Sequence, residues 1–145
     1  LSGSFAILVG SAATGNALST APLILSAVLF LWTPPHFWAL AISFKDEYSK
    51  AGIPMLPVVY GDRITSQAIF WHTLVLVILS WSLFFYGMSW IYLTFAVLGG
   101  GYFLYCSFLL LKEQTKALAR KTFFSSIIHL GLLLLGAMFD AMIFA

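Results

Sequence analysis

The chain has 145 residues, of which 61% are hydrophobic, 17% aromatic and only 8% charged, with a formal net charge of +2 and a mean hydropathy of +1.00. Ordinary soluble domains are about 45–50% apolar and about 25% charged, so seven basic and five acidic side chains cannot clothe a soluble surface of this size. The composition excludes a disordered chain and a nucleic-acid-binding domain, and leaves an all-α, polytopic membrane protein in a lipid bilayer.

Residues 1–44 carry no charge, and Gly15, Asn16 and Pro22 punctuate them. They predict a partial helix over 1–13, a turn at about 14–20 and a full span over about 21–44, since roughly 20 apolar residues cross a hydrocarbon core of about 30 Å. A polar loop is expected over 45–66. Residues 64–111 are again uncharged, and Gly87-Met88-Ser89 predicts a turn between spans at 67–86 and 90–111. A second polar loop, 112–121, leads to a last span at 122–141. Tyr86, Trp90 and Tyr92 fall where an aromatic belt is expected.

All seven basic residues fall in the two polar loops: Lys45, Lys50 and Arg63 in the first, Lys112, Lys116, Arg120 and Lys121 in the second. Two spans separate these loops, so they share a side, and the positive-inside bias makes it the cytoplasm, or the matrix in a mitochondrion. Cys106 is the single cysteine and lies in an apolar run, so no intramolecular disulfide and no Cys-based metal motif is expected. Gly99-Gly100-Gly101, and Gly131 with Gly136, are read as points of close helix approach. The opening residues, Leu1-Ser-Gly-Ser, carry no basic leader and read as the interior of a longer chain.

Two stretches carry chemistry. In the first polar loop, Asp46 and Glu47 are adjacent and flanked by Lys45 and Lys50. Carboxylate oxygens beside ammonium groups suit a Mg²⁺–phosphate site, in which the acids hold the metal and lysine neutralises the remaining charge. An ordinary solvated loop obeying the positive-inside bias has the same composition. Upstream, Thr33-Pro-Pro-His-Phe-Trp38 lies inside a span. The prolines free carbonyls near Phe30 and Leu31, as in a helix lining a cavity, and His36 is an ionisable group at membrane depth. A packing kink with His36 bonded to a carbonyl is the other reading. His72 reads as a packing or interfacial residue. His129 and Asp140 share a helix face at different depths, with Asp140 near enough to the outer end to reach water.

The run Phe30–Gly61, F-L-W-T-P-P-H-F-W-A-L-A-I-S-F-K-D-E-Y-S-K-A-G-I-P-M-L-P-V-V-Y-G, closely resembles the protoheme IX farnesyltransferase (heme O synthase) branch of the UbiA prenyltransferase superfamily. Thr65 and Gln67 continue the pattern, Gly3–Gly15 looks like the preceding stretch, and the other spans fit by hydropathy. The resemblance implies a nine-helix bundle around a central cavity, with the partial helix as the fifth and the four spans as the sixth to ninth. Lys45-Asp46-Glu47-Tyr48 would be the second of two acidic motifs that bind Mg²⁺ and a prenyl diphosphate. The acids here are adjacent where the superfamily's usual second motif is D-x-x-x-D, with Tyr48 where a later acid would stand. Ala6-Ile7 replaces a common Pro-Pro. The first acidic motif and its arginines do not occur in this sequence, so the 145 residues alone are expected to be inactive and to need the N-terminal half of the same protein.

The implied reaction transfers farnesyl from farnesyl diphosphate to a vinyl group of heme B, giving heme O. By this resemblance Asp46 and Glu47 would hold Mg²⁺. Lys45, Lys50 and Tyr48 would bind the diphosphate, and Trp32, Phe37 and Trp38 would line the prenyl or porphyrin cavity. His36 would orient or ligate the heme iron, or guide water. Heme A synthase or a terminal oxidase would be a partner, and a bacterial plasma membrane, or a mitochondrial inner membrane, the location. Three alternatives stand beside this: a UbiA-type enzyme with a quinone or chlorin acceptor, a transporter or channel subunit, and a non-catalytic oxidase assembly subunit.

Overall fold

A computed structural model describes residues 2–15 and 19–144. The expected turn at 14–20 therefore lies partly outside the described residues, as do Leu1, at the start of the partial helix, and Ala145. The described chain is helical: α1 (Ser2–Ala13), α2 (Thr20–Ser43), two short helices α3 (Lys45–Lys50) and α4 (Leu56–Tyr60), then α5 (Asp62–Ser82), α6 (Trp90–Lys112) and α7 (Lys116–Phe144). A 3₁₀ turn, Leu83–Tyr86, closes α5. Four of these segments are long and apolar enough to cross a membrane: Thr20–Ser43, Asp62–Tyr86, Trp90–Lys112 and Lys116–Phe144.

Helix α2 packs on α5, α5 on α6, α6 on α7 and α7 back on α2, which closes a four-helix bundle with α1 laid against α2. Val28, Leu76, Leu83, Tyr92, Ala96, Phe103 and Leu133 form one core layer, and Ala39, Ile42, Ile69, Leu110 and Ala119 another. Rings such as Phe5, Trp71, Phe85 and Trp90 point outward, as lipid-facing helices allow.

The polar loops differ from expectation in a physically simple way. The first is not a loop over 45–66. Chain direction breaks at Phe44, α3 begins at once, and Gly52, at φ +71°, ends it in a left-handed turn. Pro57 then starts α4, where a missing N–H costs nothing, and Gly61, at φ +86°, swings the chain into α5. Helix α5 therefore begins at Asp62, whose carboxylate suits a helix N-terminus. The second loop shrinks to 113–115, because Lys116, Arg120 and Lys121 are good helix formers and simply extend α7. At 29 residues α7 is about 43 Å long, more than the hydrocarbon core needs. The hydrocarbon core does not need its charged first turns.

Candidate functional site

Two ion pairs join the short helix α3 to the starts of α5 and α7. Lys116 Nζ, at the start of α7, donates to Asp46 Oδ2 on α3 at 3.0 Å. Lys45 Nζ lies 3.4 Å from Asp62 Oδ1 at the start of α5. That distance makes an ion pair but not a well-formed hydrogen bond, and Asp62 Oδ1 has no hydrogen-bond partner among the described residues. Asp46 and Lys45 are candidate site residues from sequence alone, and their partners Lys116 and Asp62 are not. Glu47 and Lys50 are exposed beside them, and Tyr48 is half-buried. The Lys116 ammonium, bonded to Asp46, holds its carboxyl below the usual carboxylate range. We call this end the mouth.

Below the mouth runs a seam between α2 and α7. Its upper part is a cavity of about 270 Å³ lined by Leu40, Ser43 and Phe44 from α2 and Arg120, Phe123 and Phe124 from α7. Next comes an aromatic stack. The His36 ring lies between Trp32 (centroids 4.2 Å apart, planes 21°) and Phe123 (4.6 Å, 26°). Its Nδ1 is 2.6 Å from Ser126 Oγ, and Trp32 Nε1 donates to the Ser126 carbonyl at 2.9 Å. Deeper still, Leu25, Val28 and Leu29 of α2 and Leu130, Leu133 and Leu134 of α7 line an apolar cavity of about 300 Å³, which α1 closes with Gly3, Ala6 and Ile7. Helix α2 stays helical through Pro34 and Pro35. Thr33 Oγ1 donates back to Leu29 O at 3.0 Å, and the side chains of Trp32 and His36 dock on α7 instead of on their own helix.

The aromatic residues assigned together from sequence are separated here. Trp32 and His36 are four positions apart, about 40° around the helix, and share the seam. Phe37 meets the edge of His36 at 5.4 Å but remains 49% exposed. Trp38 is about 200° from His36 and faces α5, edge-on to His72 at 5.0 Å. It does not line the seam. His72 Nδ1 also lies 3.0 Å from Ala68 O on its own helix, a packing arrangement.

Asp140 does not reach water as expected. It is buried, and Oδ1 accepts from both the backbone N–H and the hydroxyl of Ser89, the N-cap of α6. His129, fully buried beside Phe103, has no hydrogen-bond partner on either ring nitrogen among the described residues. Neither residue belongs to the seam. Phe123, Ser126 and Arg120 do, and a spacing of three along α7 is the signal for them.

No group of three or more His, Cys, Asp or Glu side chains gathers to hold a metal ion among the described residues. A self-sufficient cage is thus not built from them. Mg²⁺ bound with a phosphate ligand needs only one or two protein carboxylates, the remaining oxygens coming from phosphate and water. Exposed Asp46 and Glu47, with ammonium groups alongside, fit that donor set.

The sequence profile of the UbiA prenyltransferase family matches residues 1–129. Protoheme IX farnesyltransferase 2 of Paramagnetospirillum magneticum is 48% identical over 143 residues, covering 99% of this chain and 50% of that protein. Protoheme IX farnesyltransferase of Acidovorax sp. is 45% identical over 141 residues, 96% of this chain and 46% of the relative. That of Verminephrobacter eiseniae is 44% identical over 140 residues, 96% and 47% respectively. The chain spans about half the length of the curated relatives it matches. No solved structure matches it.

Proposed function

This chain belongs to the UbiA prenyltransferase family, and we propose that the protein containing it transfers a farnesyl group from farnesyl diphosphate to a vinyl group of heme B, making heme O. The carrying observation is that one helix pair, α2 and α7, joins a charged mouth to an apolar, aromatic seam. An allylic diphosphate needs both surroundings at once, charge around its head and shelter from water around its tail. The names of the relatives supply the substrate pair.

In this reading Asp46 and Glu47 hold Mg²⁺ with the diphosphate. Mg²⁺ held there would supply charge neutralisation for a diphosphate leaving group. Lys45, Lys50 and Tyr48 would face the same group, with Lys116, paired with Asp46, a further cation beside it. The electron pair of the C–O bond leaves with diphosphate. The vinyl π pair forms the new C–C bond, and water adds to the resulting cation with loss of a proton, giving the hydroxyethylfarnesyl side chain. Trp32, Phe123 and the leucines of the seam exclude bulk water from the allylic cation and offer it aromatic faces. His36 stands in the seam as the group that orients or ligates the porphyrin. A bacterial plasma membrane is the setting the relatives suggest, and a heme A synthase or terminal oxidase would consume the product.

The test uses membranes from cells expressing the open reading frame that carries this chain, supplied with heme B, farnesyl diphosphate and Mg²⁺, with extracted hemes read by mass spectrometry. Farnesylated, hydrated heme from the parent and little from Asp46→Ala is the expected result. Product from both removes Asp46 from the metal site. A prenylated quinone or chlorin in place of heme O would move the protein to another branch of the family. No product with any acceptor would leave transport or oxidase assembly.

A further inference from the structure

Ser126 receives two side chains from α2: the Trp32 indole N–H on its carbonyl at 2.9 Å, and the His36 ring at 2.6 Å from its hydroxyl. The same hydroxyl also lies 2.6 Å from the Phe123 carbonyl, one turn back on α7. A serine hydroxyl has one proton. It cannot donate to Phe123 O and to His36 Nδ1 at once. Both contacts are hydrogen bonds only if the hydroxyl donates to the carbonyl and accepts from an Nδ1–H. The opposite arrangement, with Ser126 donating to Nδ1, leaves its oxygen facing the Phe123 carbonyl at 2.6 Å with no proton between them. Two oxygens that close without a shared proton repel, and that is the costlier choice. An imidazolium would also donate from Nδ1, but an uncompensated charge at membrane depth is disfavoured.

We propose that Ser126 is a positioning residue that holds His36 as the neutral Nδ1–H tautomer, leaving Nε2 as an electron-pair donor for the iron of a porphyrin. The hydrogen bond fixes the proton, and the flanking rings of Trp32 and Phe123 fix the plane. A histidine whose second nitrogen is tied in this way is prepared to bind a borderline metal, since the partner of one ring nitrogen decides what the other can do. Only the choice of iron porphyrin rests on the transferase reading. The tautomer rests on the hydroxyl geometry alone.

Two measurements on the full-length protein in lipid nanodiscs test this. Nitrogen NMR of ¹⁵N-histidine-labelled protein, with His36 assigned by its loss in His36→Gln, reads the tautomer without any ligand. Nδ1 protonated and Nε2 bare is the expected state, mixed or reversed in Ser126→Ala and retained in Ser126→Thr. Titration with heme B, followed by its Soret band, should then show affinity reduced by about 10–100-fold in Ser126→Ala, and close to the parent in Ser126→Thr. A proton on Nε2 in the parent overturns the proposal whatever the variants do. So does unchanged heme affinity and spectrum in Ser126→Ala or in His36→Gln. Failure of heme O synthesis with tautomer and heme binding intact would count against the transferase reading and leave this one standing.

Discussion

On its α6 side, helix α7 comes so close that a methyl group does not fit. On its α2 side it leaves two cavities. A Cβ at Gly136 would lie 2.8 Å from Phe95 Cβ, and one at Gly99 would lie 3.2 Å from the Cα of His129. Across the helix, the α2 seam holds volumes of about 270 and 300 Å³ on either side of the His36 stack. Without a hydrophobic drive between helices in lipid, contact must come from small residues and hydrogen bonds. The α6–α7 pair spends its glycines there, and Thr122 Oγ1 reaches Cys106 O across the same interface at 3.2 Å. The open seam can afford large side chains and empty space because its partner interface fixes α7.

That contrast predicts two kinds of loss. On the chemical side the largest effect belongs to Asp46. Heme O formation in Asp46→Ala membranes should fall on the order of a hundredfold or more, with protein level and heat stability at parental values. On the packing side, Gly136→Ala and Gly99→Ala should each lower unfolding stability in detergent by about 1–3 kcal/mol, because the atoms they meet, Phe95 Cβ and the backbone of His129, cannot swing away. Gly101→Ala and Gly131→Ala, with nothing within 4 Å of the new carbon, should be neutral or gain up to about 1 kcal/mol from helix propensity. Equal gains at all four positions would mean that propensity, not proximity, governs these glycines.

The same contrast marks how much could be read from the residues. Uncharged runs and the confinement of basic residues to two loops give the spans and their common end, because both follow from the cost of charge in hydrocarbon. The pairing of Asp46 with Lys116, 70 positions away, has no local signature, and neither does Lys45 with Asp62. Charge was read as a stop signal at 112–121, although Lys and Arg extend a helix that leaves the membrane. Only Arg120 of the Arg120, Phe123, Ser126 row falls in that stretch. In α2 a helical wheel separates Trp38 from His36 without any structure, whereas the stack of His36 on Phe123 requires knowing that α7 lies alongside. For glycines, sequence gives candidates, and only the neighbouring helix distinguishes Gly136 from Gly131.

At the far end of the packed side, Asp140 reaches across to the N-cap of α6. Its Oδ1 accepts the Ser89 N–H at 2.8 Å and the Ser89 hydroxyl as well, while Ser89 Oγ receives Ile91 N–H at 3.2 Å. Asp140→Ala strands a helix-start donor in a buried site and should cost about 1–3 kcal/mol in the same unfolding measurement. Asp140→Ala combined with Ser89→Ala should cost less than the sum of the single changes, since each removes the other's partner. Strict additivity would mean that the two residues do not act as one cap.

The smallest effect is expected at the mouth, where the Asp46–Lys116 pair is well exposed on both sides. Exposed pairs add little to stability, and salt weakens them further. Lys116→Ala should therefore leave the unfolding midpoint almost unchanged at neutral pH. The sign of its pH dependence is still defined. The folded-state pKa of Asp46 is lowered by Lys116, so whatever the pair contributes is present above the ordinary carboxylate pKa. It is lost as pH falls through the lowered one. Parent and Lys116→Ala curves should run together in acid and part slightly toward neutrality, and the gap should close in high salt. A large, salt-insensitive gap would make the pair a buried structural tie like Asp140–Ser89. A weak pair leaves both partners available at little cost, as a binding mouth requires of its charges and a helix cap does not.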